Sequence, residues 1–405
     1  MAALHLDYAL RHDTQEKTEM AFDAHDTVIV GAGPAGLALS AELQRLGTGS
    51  FVLDQQAAGA NTSRAAVVHA RTLEVLEPLG VVPELMRNGL IVPTFRVRER
   101  SRVLATISFK NLKTAYPFAL MCPQNRTEAV LLHRLESLGG SVQRPHQVVS
   151  IRPADDCVEV QFASAEGLRT IRAKWLVGCD GAHSIAREQA AIPFEGGAYE
   201  QDFILADVEM DWPLDREEVD LFFSDQGLVV VAPLPENRFR IVAAVDQAPE
   251  EPSMADFQKI LDERGPEESP ARIHKTVWSS RFHIQHRVAK NLRKGRVLLV
   301  GDAAHAHSPA GGQGMNTGIQ DAVSLAEVLH EMVSKNADEA ALDAWERERL
   351  QIARSVVNLT DRMTKAATVS SPALRLLRNV AFEIIGHIPM AQNAIAETLS
   401  ELDNR

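Results

Sequence analysis

Three short, mostly apolar runs punctuate the chain, and each stops at a glycine. They are Thr27-Val28-Ile29-Val30 before Gly31, Trp175-Leu176-Val177 before Gly178, and Arg296-Val297-Leu298-Leu299-Val300 before Gly301. Unbroken apolar runs of this length predict parallel strands covered on both faces. Residues 92–117 and 197–283 follow a different rule. Apolar and polar positions alternate there, as in Phe95-Arg96-Val97-Arg98 and Arg238-Phe239-Arg240-Ile241-Val242, with proline punctuation at Ala232-Pro233-Leu234-Pro235. Period-two alternation predicts a half-exposed, largely antiparallel sheet. Towards the C-terminus the period lengthens: Leu325, Val328, Leu329 and Met332 fall on one helical stripe, followed by Ala- and Leu-rich helical sequence.

The first run opens a recognisable loop. Gly31-Ala32-Gly33-Pro34-Ala35-Gly36 follows a predicted strand and starts a helix carrying Leu37, Leu39, Leu43 and Leu46, which ends at Gly47. Such glycines let the chain turn (Gly31), let backbone approach a pyrophosphate (Gly33) and let helix and strand pack closely (Gly36). Pro34 falls in the first helical turn, where its missing N–H is not needed. A second strand, Phe51-Val52-Leu53, ends in Asp54, roughly 20 residues past the glycines, where a carboxylate accepts from ribose hydroxyls. The loop, the helix and the terminal acid together point to a dinucleotide without saying which one.

Two later segments bear on that choice. Cys179-Asp180-Gly181-Ala182-His183-Ser184-Ile185-Ala186-Arg187 resembles the "DG" motif of single-component (class A) FAD-dependent aromatic hydroxylases, the family of para-hydroxybenzoate hydroxylase. Gly295 to His305, containing Gly301-Asp302-Ala303-Ala304, resembles the family's "GD" motif, and Ser308-Pro309-Ala310-Gly311-Gly312-Gln313-Gly314-Met315-Asn316 is similar to its flavin-ring loop. The likeness spans residues 26 to 349. His183 and Ala186 depart from it, standing where Arg and Val are common.

The resemblance implies an α/β fold: a Rossmann-like FAD-binding domain in three pieces (26–91, 118–196 and 284–368), an inserted, largely antiparallel sheet domain for substrate (92–117 and 197–283) and C-terminal helices (369–405), after an N-terminal extension (1–25). It implies that Asp302 contacts the ribityl and pyrophosphate part of FAD, that the amides of Gly314, Met315 and Asn316 meet the flavin pyrimidine, and that Pro309 lines the flavin near substrate. It also implies that Arg64 and Arg71 face the pyrophosphate and coenzyme, that Gln124 contacts FAD, and that Asp180 serves both FAD and NAD(P)H. The expected activity is an NAD(P)H- and O2-dependent monooxygenase, or hydroxylase, acting on a phenolic or N-heteroaromatic substrate through a flavin C4a-hydroperoxide. A helix starting near Gly314 would stabilise charge on the reduced ring with its dipole, so no side-chain acid is demanded. A halogenase, epoxidase or reductase on the same fold is the neighbouring reading, and a non-catalytic FAD-binding protein the more distant one. The W-x-W-x-I-P signature of flavin halogenases is absent, as is the C-x-x-C pair of disulfide reductases.

Bulk properties narrow the partners. The 405 residues are 45% apolar and carry 42 basic against 54 acidic side chains, a net charge of −12, which argues against nucleic acid and anionic membrane. Three cysteines (Cys122, Cys157, Cys179) without metal-type spacing suit a reduced cytoplasmic protein, and no stretch approaches the ~18 apolar residues of a membrane-spanning helix. A monomer or homodimer is expected. His305-Ala306-His307 lacks a third ligand at sensible spacing and is expected to pack around the loop, not to bind metal. Phe222, Phe223, Trp212, Tyr116 and Tyr199 are candidates either for an aromatic pocket or for ordinary core. Trp345-Glu346-Arg347-Glu348-Arg349 is expected to be a solvated, salt-bridged face, and the apolar tail from Leu374 to Leu399 to pack on the FAD domain. No substrate-activating base stands out among Tyr116, Tyr199, His283 and His286.

Overall fold

The computed structural model describes residues 24–59, 65–335, 337–369 and 371–405. The three glycine-terminated runs become neighbours in one sheet. Ala24–Val30 lies between Phe51–Leu53 and the long strand Gly167–Gly178, parallel to both, and Val297–Leu299 extends the sheet in parallel beside Gly167–Gly178. Val28, Ile29, Val52, Leu53, Leu176, Val177, Leu298 and Leu299 are all fully buried. Their unbroken apolar sequence is thus explained by cover on both faces.

The alternating segments form the second sheet. Its order is His305–Ala306, Arg272–Ala289, Phe194–Asp211, Arg238–Val245, Gly227–Leu234, Glu218–Ser224, Thr94–Glu99 and Arg102–Ser108. Every pairing is antiparallel except that of Glu218–Ser224 with Thr94–Glu99. The strands Thr94–Glu99 and Arg102–Ser108 therefore join the same sheet as the later segment, although residues 118–196 separate the two stretches. The helix Met254–Arg264, opened by a Ser253–Asp256 capping box, covers one face through Phe257, Ile260 and Leu261 against Phe222, Phe239 and Ile241. The two-residue strand His305–Ala306 comes from the "GD" segment, so the sheet is hydrogen-bonded directly to the loop that precedes Pro309.

Two helices frame the parallel sheet near its glycine loops. Pro34–Arg45 packs along Gln313–Lys335, and the contact is tight where Gly301, Gly318 and Ala35 converge. A Cβ on Gly318 would lie 3.1 Å from the Gly301 Cα, and one on Gly301 would lie 3.3 Å from the Ala35 Cβ. Small residues here bring the two helix starts together.

Two expectations need correction. The segment 345–349 is not a solvated face: within the helix Ala340–Ala367, Trp345 and Arg349 are buried, and Glu346 accepts from the N–H groups of Leu292 and Arg293. Only Arg347 and Glu348 face water. Charge alternation could not reveal this, because the acceptor for Arg349 lies on another helix. The tail departs from expectation in part. Ala396 and Leu399 of the helix Pro389–Leu399 pack with Ala66, Val67 and Ala70 of the FAD-binding part, and Arg378 donates to the Ala366 carbonyl there. The helix Pro372–Gly386, however, packs chiefly on the edge strand Arg102–Ser108 of the sheet domain. It does so through Asn379, which donates to Glu99, through Phe382 against Phe223, and through the Arg102–Glu383 ion pair. Its stripe Leu374, Leu376, Leu377, Val380 and Ile384 is exposed. Among the described residues no helix is long and apolar enough to cross a membrane.

Candidate functional site

At the first glycine loop each glycine does something different. Gly31 has φ +99°, and a Cβ there would sit 2.4 Å from the Cys179 carbonyl oxygen; a Cβ on Gly36 would sit 2.0 Å from the Gly31 carbonyl oxygen. Both are occluded by backbone, so they serve the fold. Gly33 is the opposite: its conformation is ordinary (φ −75°, ψ −174°) and nothing lies within 4 Å of a Cβ placed on it. Gly33 caps the helix Pro34–Arg45 without any side-chain hydrogen bond, so the first-turn amides are open to an anion. Space in front of free amides at a helix N-terminus suits a pyrophosphate.

Asp54 stands beside this opening. Its Oδ2 accepts from the Ala32 N–H at 2.7 Å and its Oδ1 from the Gln56 N–H at 2.7 Å. Arg144 donates to the Ala32 carbonyl at 3.3 Å and approaches Asp54 Oδ2 to 3.7 Å. Arg144 was not foreseen, since nothing around it in sequence marks a site. Gly31, Gly33, Asp54, His146, Asp180 and His183 line one continuous cleft.

The "DG" segment closes the cleft's far wall. Asp180 Oδ2 accepts from the Ala186 N–H at 3.1 Å, whereas its Oδ1 is buried without a partner among the described residues, and burial raises the carboxyl's pKa. Ser184 caps the next helix by accepting from the Arg187 N–H. Arg187 then donates to the carbonyls of Ala303 at 2.9 Å and Ala182 at 2.8 Å, its guanidinium 3.9 Å above the Phe194 ring. One buried arginine thus ties the "DG" segment to the "GD" segment. Asp302, in the short turn Gly301–Ala303, is exposed.

At the other end lies the ring loop. Pro309 is exposed, and Gly311 and Gly312 take φ +78° and +68°. A Cβ on Gly312 would lie 2.0 Å from Val67 Cγ1. This break separates the turn Ala310–Gly312 from the helix Gln313–Lys335, so the amides of Gly314, Met315 and Asn316 open the helix with no regular turn beneath them. The Asn316 side chain is fully buried: it accepts from the His69 N–H at 2.8 Å and donates to the carbonyls of Val67 and Gly312 at 3.0 and 2.8 Å. It clamps the loop, leaving only its main chain for a ligand. His69 holds the same loop, its Nε2 2.7 Å from the Gly311 carbonyl oxygen, and burial lowers its pKa to about 4. A neutral His69 with its proton on Nε2 fits that contact.

The remaining expected residues spread around this frame. Gln124 starts the helix Gln124–Ser137, and its side chain accepts from the Ala65 N–H at 3.3 Å and donates to Glu128. The Arg71 guanidinium meets Glu74 at 3.3 Å, with its Nε buried and unpartnered among the described residues. Arg64 lies outside the described residues. His305 turns to Asp321 (2.6 Å), which also accepts from Arg349 at 2.5 Å, all three nearly fully buried. Burial alone would raise the Asp321 pKa, but Arg349 and His305 pull it below the ordinary carboxylate value. Phe222 and Trp212 pack in the core with Phe239, Phe223 meets Phe382, Tyr116 packs against Phe118, and Tyr199 donates to Asp361 at 2.8 Å.

Comparison with known proteins agrees with this geometry. A family model described as "FAD binding domain" matches residues 24–360. The chain is 35% identical over 349 residues to 6-methylpretetramide 4-monooxygenase of Streptomyces rimosus, covering 84% of this chain and 62% of that protein, less than two thirds of its length. Its structure is similar to that of p-nitrophenol 4-monooxygenase from Pseudomonas putida, with a TM-score of 0.85 at 25% identity over 95% of this chain and 99% of that one. It is also similar to an anhydrotetracycline hydroxylase from Streptomyces rimosus, with a TM-score of 0.79 at 32% identity over 94% of this chain and 76% of that one.

Proposed function

This chain belongs to the FAD-dependent aromatic hydroxylases, and we propose on that premise that it hydroxylates a phenolic or N-heteroaromatic compound, taking NAD(P)H and O2 as co-substrates. FAD is its cofactor. The observation that carries the reading is the pair of open helix starts, at Gly33 and at Gly314, brought to one face of the molecule by the Gly301–Gly318–Ala35 contact. A dinucleotide has an anionic middle and, in FAD, a ring whose pyrimidine edge becomes negative on reduction, so two separate amide clusters suit its two ends.

Each residue then has a task. Gly33 and the amides after it receive the pyrophosphate, and Asp54 accepts from the adenosine ribose. Asp302 accepts from the ribityl chain, and the amides of Gly314 to Asn316 face the pyrimidine edge. Asp180, whose Oδ1 has no hydrogen-bond partner among the described residues, offers that oxygen to the cofactor or coenzyme. Pro309 borders the substrate side, Gln124 holds the Ala65 backbone near FAD, and Arg71 with Arg64 serves anionic groups. Bound FAD supplies electron transfer and oxygen activation; the protein's share is orientation, charge compensation and exclusion of water. We assign the pieces 26–91, 118–196 and 284–368 to cofactor binding and 92–117 with 197–283 to substrate. The relatives named above act on compounds from p-nitrophenol to anhydrotetracycline, so simple phenols and fused-ring phenols are the first substrates to try. The chain is taken to act in the cytoplasm, as monomer or homodimer.

The test is coenzyme oxidation by the FAD-loaded protein with a panel of phenols and quinolones. A hydroxylase consumes NADPH or NADH faster when its substrate is present and yields a product heavier by one oxygen atom. A non-catalytic FAD protein shows no stimulation; an epoxidase or reductase is identified by its product. Unstimulated oxidation across the panel with no oxygenated product overturns the proposal.

A further inference from the structure

Glu401 is a buried acid that the reading above does not use. It follows the helix Pro389–Leu399, sits at φ +57° with 1% exposure, and lies against the first two turns of the helix Gln313–Lys335. Its carboxyl meets Thr317 and Gln320: Thr317 Oγ1 lies 3.2 Å from Oε1, and Gln320 Nε2 donates to Oε2. The neighbouring residues strengthen the same junction. Gln313 donates to the Leu399 carbonyl at 3.0 Å, and the Arg71 N–H donates to the Ser400 carbonyl.

The hydrogen-bonding partners of this acid are neutral groups. Thr317 has a single hydroxyl proton, shared between the Gln313 carbonyl at 3.1 Å and Glu401 Oε1 at 3.2 Å. That divided donor offsets little of the cost of burying a charge on the carboxyl. Gln320 uses its two N–H hydrogens on Thr72 (3.0 Å) and on the other carboxyl oxygen. The charged and titratable groups around Glu401 are Asp321 on the same helix, Arg349 behind it, His69, Arg71 and Glu74 around the start of Ala70–Leu76, and Asp403 and Arg405 on its own segment. Asp321 is already matched by Arg349 and His305, and Glu74 by Arg71 and Arg405. None donates to Glu401, and burial pushes its pKa up to about 8.

We propose that Glu401 is a positioning residue for the flavin: as a neutral acid it ties the C-terminal segment to the helix that faces the ring and leaves that helix's positive end uncancelled. Ionised, it places a negative charge within about two turns of the Gly314–Asn316 amides and disfavours negative charge on the reduced cofactor. This rests on the seating of FAD proposed above.

The test compares wild type with Glu401→Gln, whose amide can reproduce the same donor and acceptor pattern. In FAD-loaded protein the midpoint potential is followed from about pH 6 to about pH 10. Wild type should fall away from Glu401→Gln above about pH 8, until the mutant's reduced-to-oxidised ratio at a fixed poise is about tenfold higher, about 30 mV for a two-electron couple. Parallel curves throughout, whether offset or superimposed, overturn the proposal, because a purely structural role would give them. In FAD-free protein the infrared difference between the two should show a protonated carboxyl band at neutral pH that vanishes above about pH 8; its absence also overturns it. Should Glu401→Gln not fold, Thr317→Val should move the break to higher pH, and an unmoved break counts against the proposal. Protein that takes up no FAD defeats the hydroxylase reading instead, while the infrared arm still reports on Glu401.

Discussion

Replacing Gly33 with alanine separates the cofactor's requirements from those of the fold. In the cofactor-free protein the change should be harmless. The backbone there is extended, as any residue adopts, and a Cβ meets nothing within 4 Å. Stability should stay level or rise by about 0.4–1 kcal/mol, because alanine restricts the unfolded chain more than glycine does. With FAD the outcome differs, since the methyl occupies the space through which a pyrophosphate reaches the first-turn amides. Pro34 has no N–H, so the donors at risk are chiefly those of Ala35 and Gly36. Two charge-assisted hydrogen bonds at about 1.5–3 kcal/mol each put the loss at roughly 3–6 kcal/mol, a hundred- to ten-thousandfold in Kd. Titration calorimetry gives the Kd, and melting curves with and without FAD give the same loss through the missing ligand stabilisation. Gly36→Ala is the contrast. Its Cβ would sit 2.0 Å from the Gly31 carbonyl oxygen, so it should lower the melting temperature even without FAD. If Gly33→Ala binds FAD within about threefold of wild type, or is itself destabilised when empty, the assignment of Gly33 to the pyrophosphate is wrong.

Further outcomes follow from buried groups and from the ring end. Arg349→Met leaves Asp321 and His305 buried without their cation, and should cost about 3–5 kcal/mol in urea denaturation; a loss under about 1 kcal/mol would show the cluster to be slack. His69 has a pKa lowered to about 4, so the unfolded chain binds its proton first, and stability should decline as pH falls from about 6.5 to about 4, by roughly 3 kcal/mol at the acid end. The His69→Gln curve should be flatter across that window, and equal slopes would reject the assignment. Asp302→Ala should purify colourless because FAD loses an acceptor, and a fully yellow preparation would misplace that residue.

Local signals in the sequence carried far. The glycine loop, its strand and helix, and the parallel runs at 28–30, 176–178 and 297–299 are visible because each is short and wholly enclosed, so apolar character persists without alternation. The sheet domain shows through its period of two. The unforeseen residues are those whose role depends on a distant partner. Arg349 looks like one charge among several until Asp321 is placed opposite it. Arg144 acquires meaning only beside Asp54, and Glu401 only beside Thr317. Asn316 was expected for its amide alone, and its side chain proves to be the clamp joining Val67, His69 and Gly312. The helix Pro372–Gly386 misled because its oily stripe faces water while Asn379 and Glu383 make the contacts inward.

The parallel sheet has a consequence for how the protein is made. Its adjoining strands are delivered in three instalments, and the loop that closes the ring end is held by residues near position 400. Residues between 30 and 185 line the pyrophosphate cleft and emerge first, whereas the ring end waits for residues near 400, and contacts of such wide sequence separation form slowly. Secure capture of the cofactor therefore follows the arrival of the segment near residue 400, which fastens the ring end.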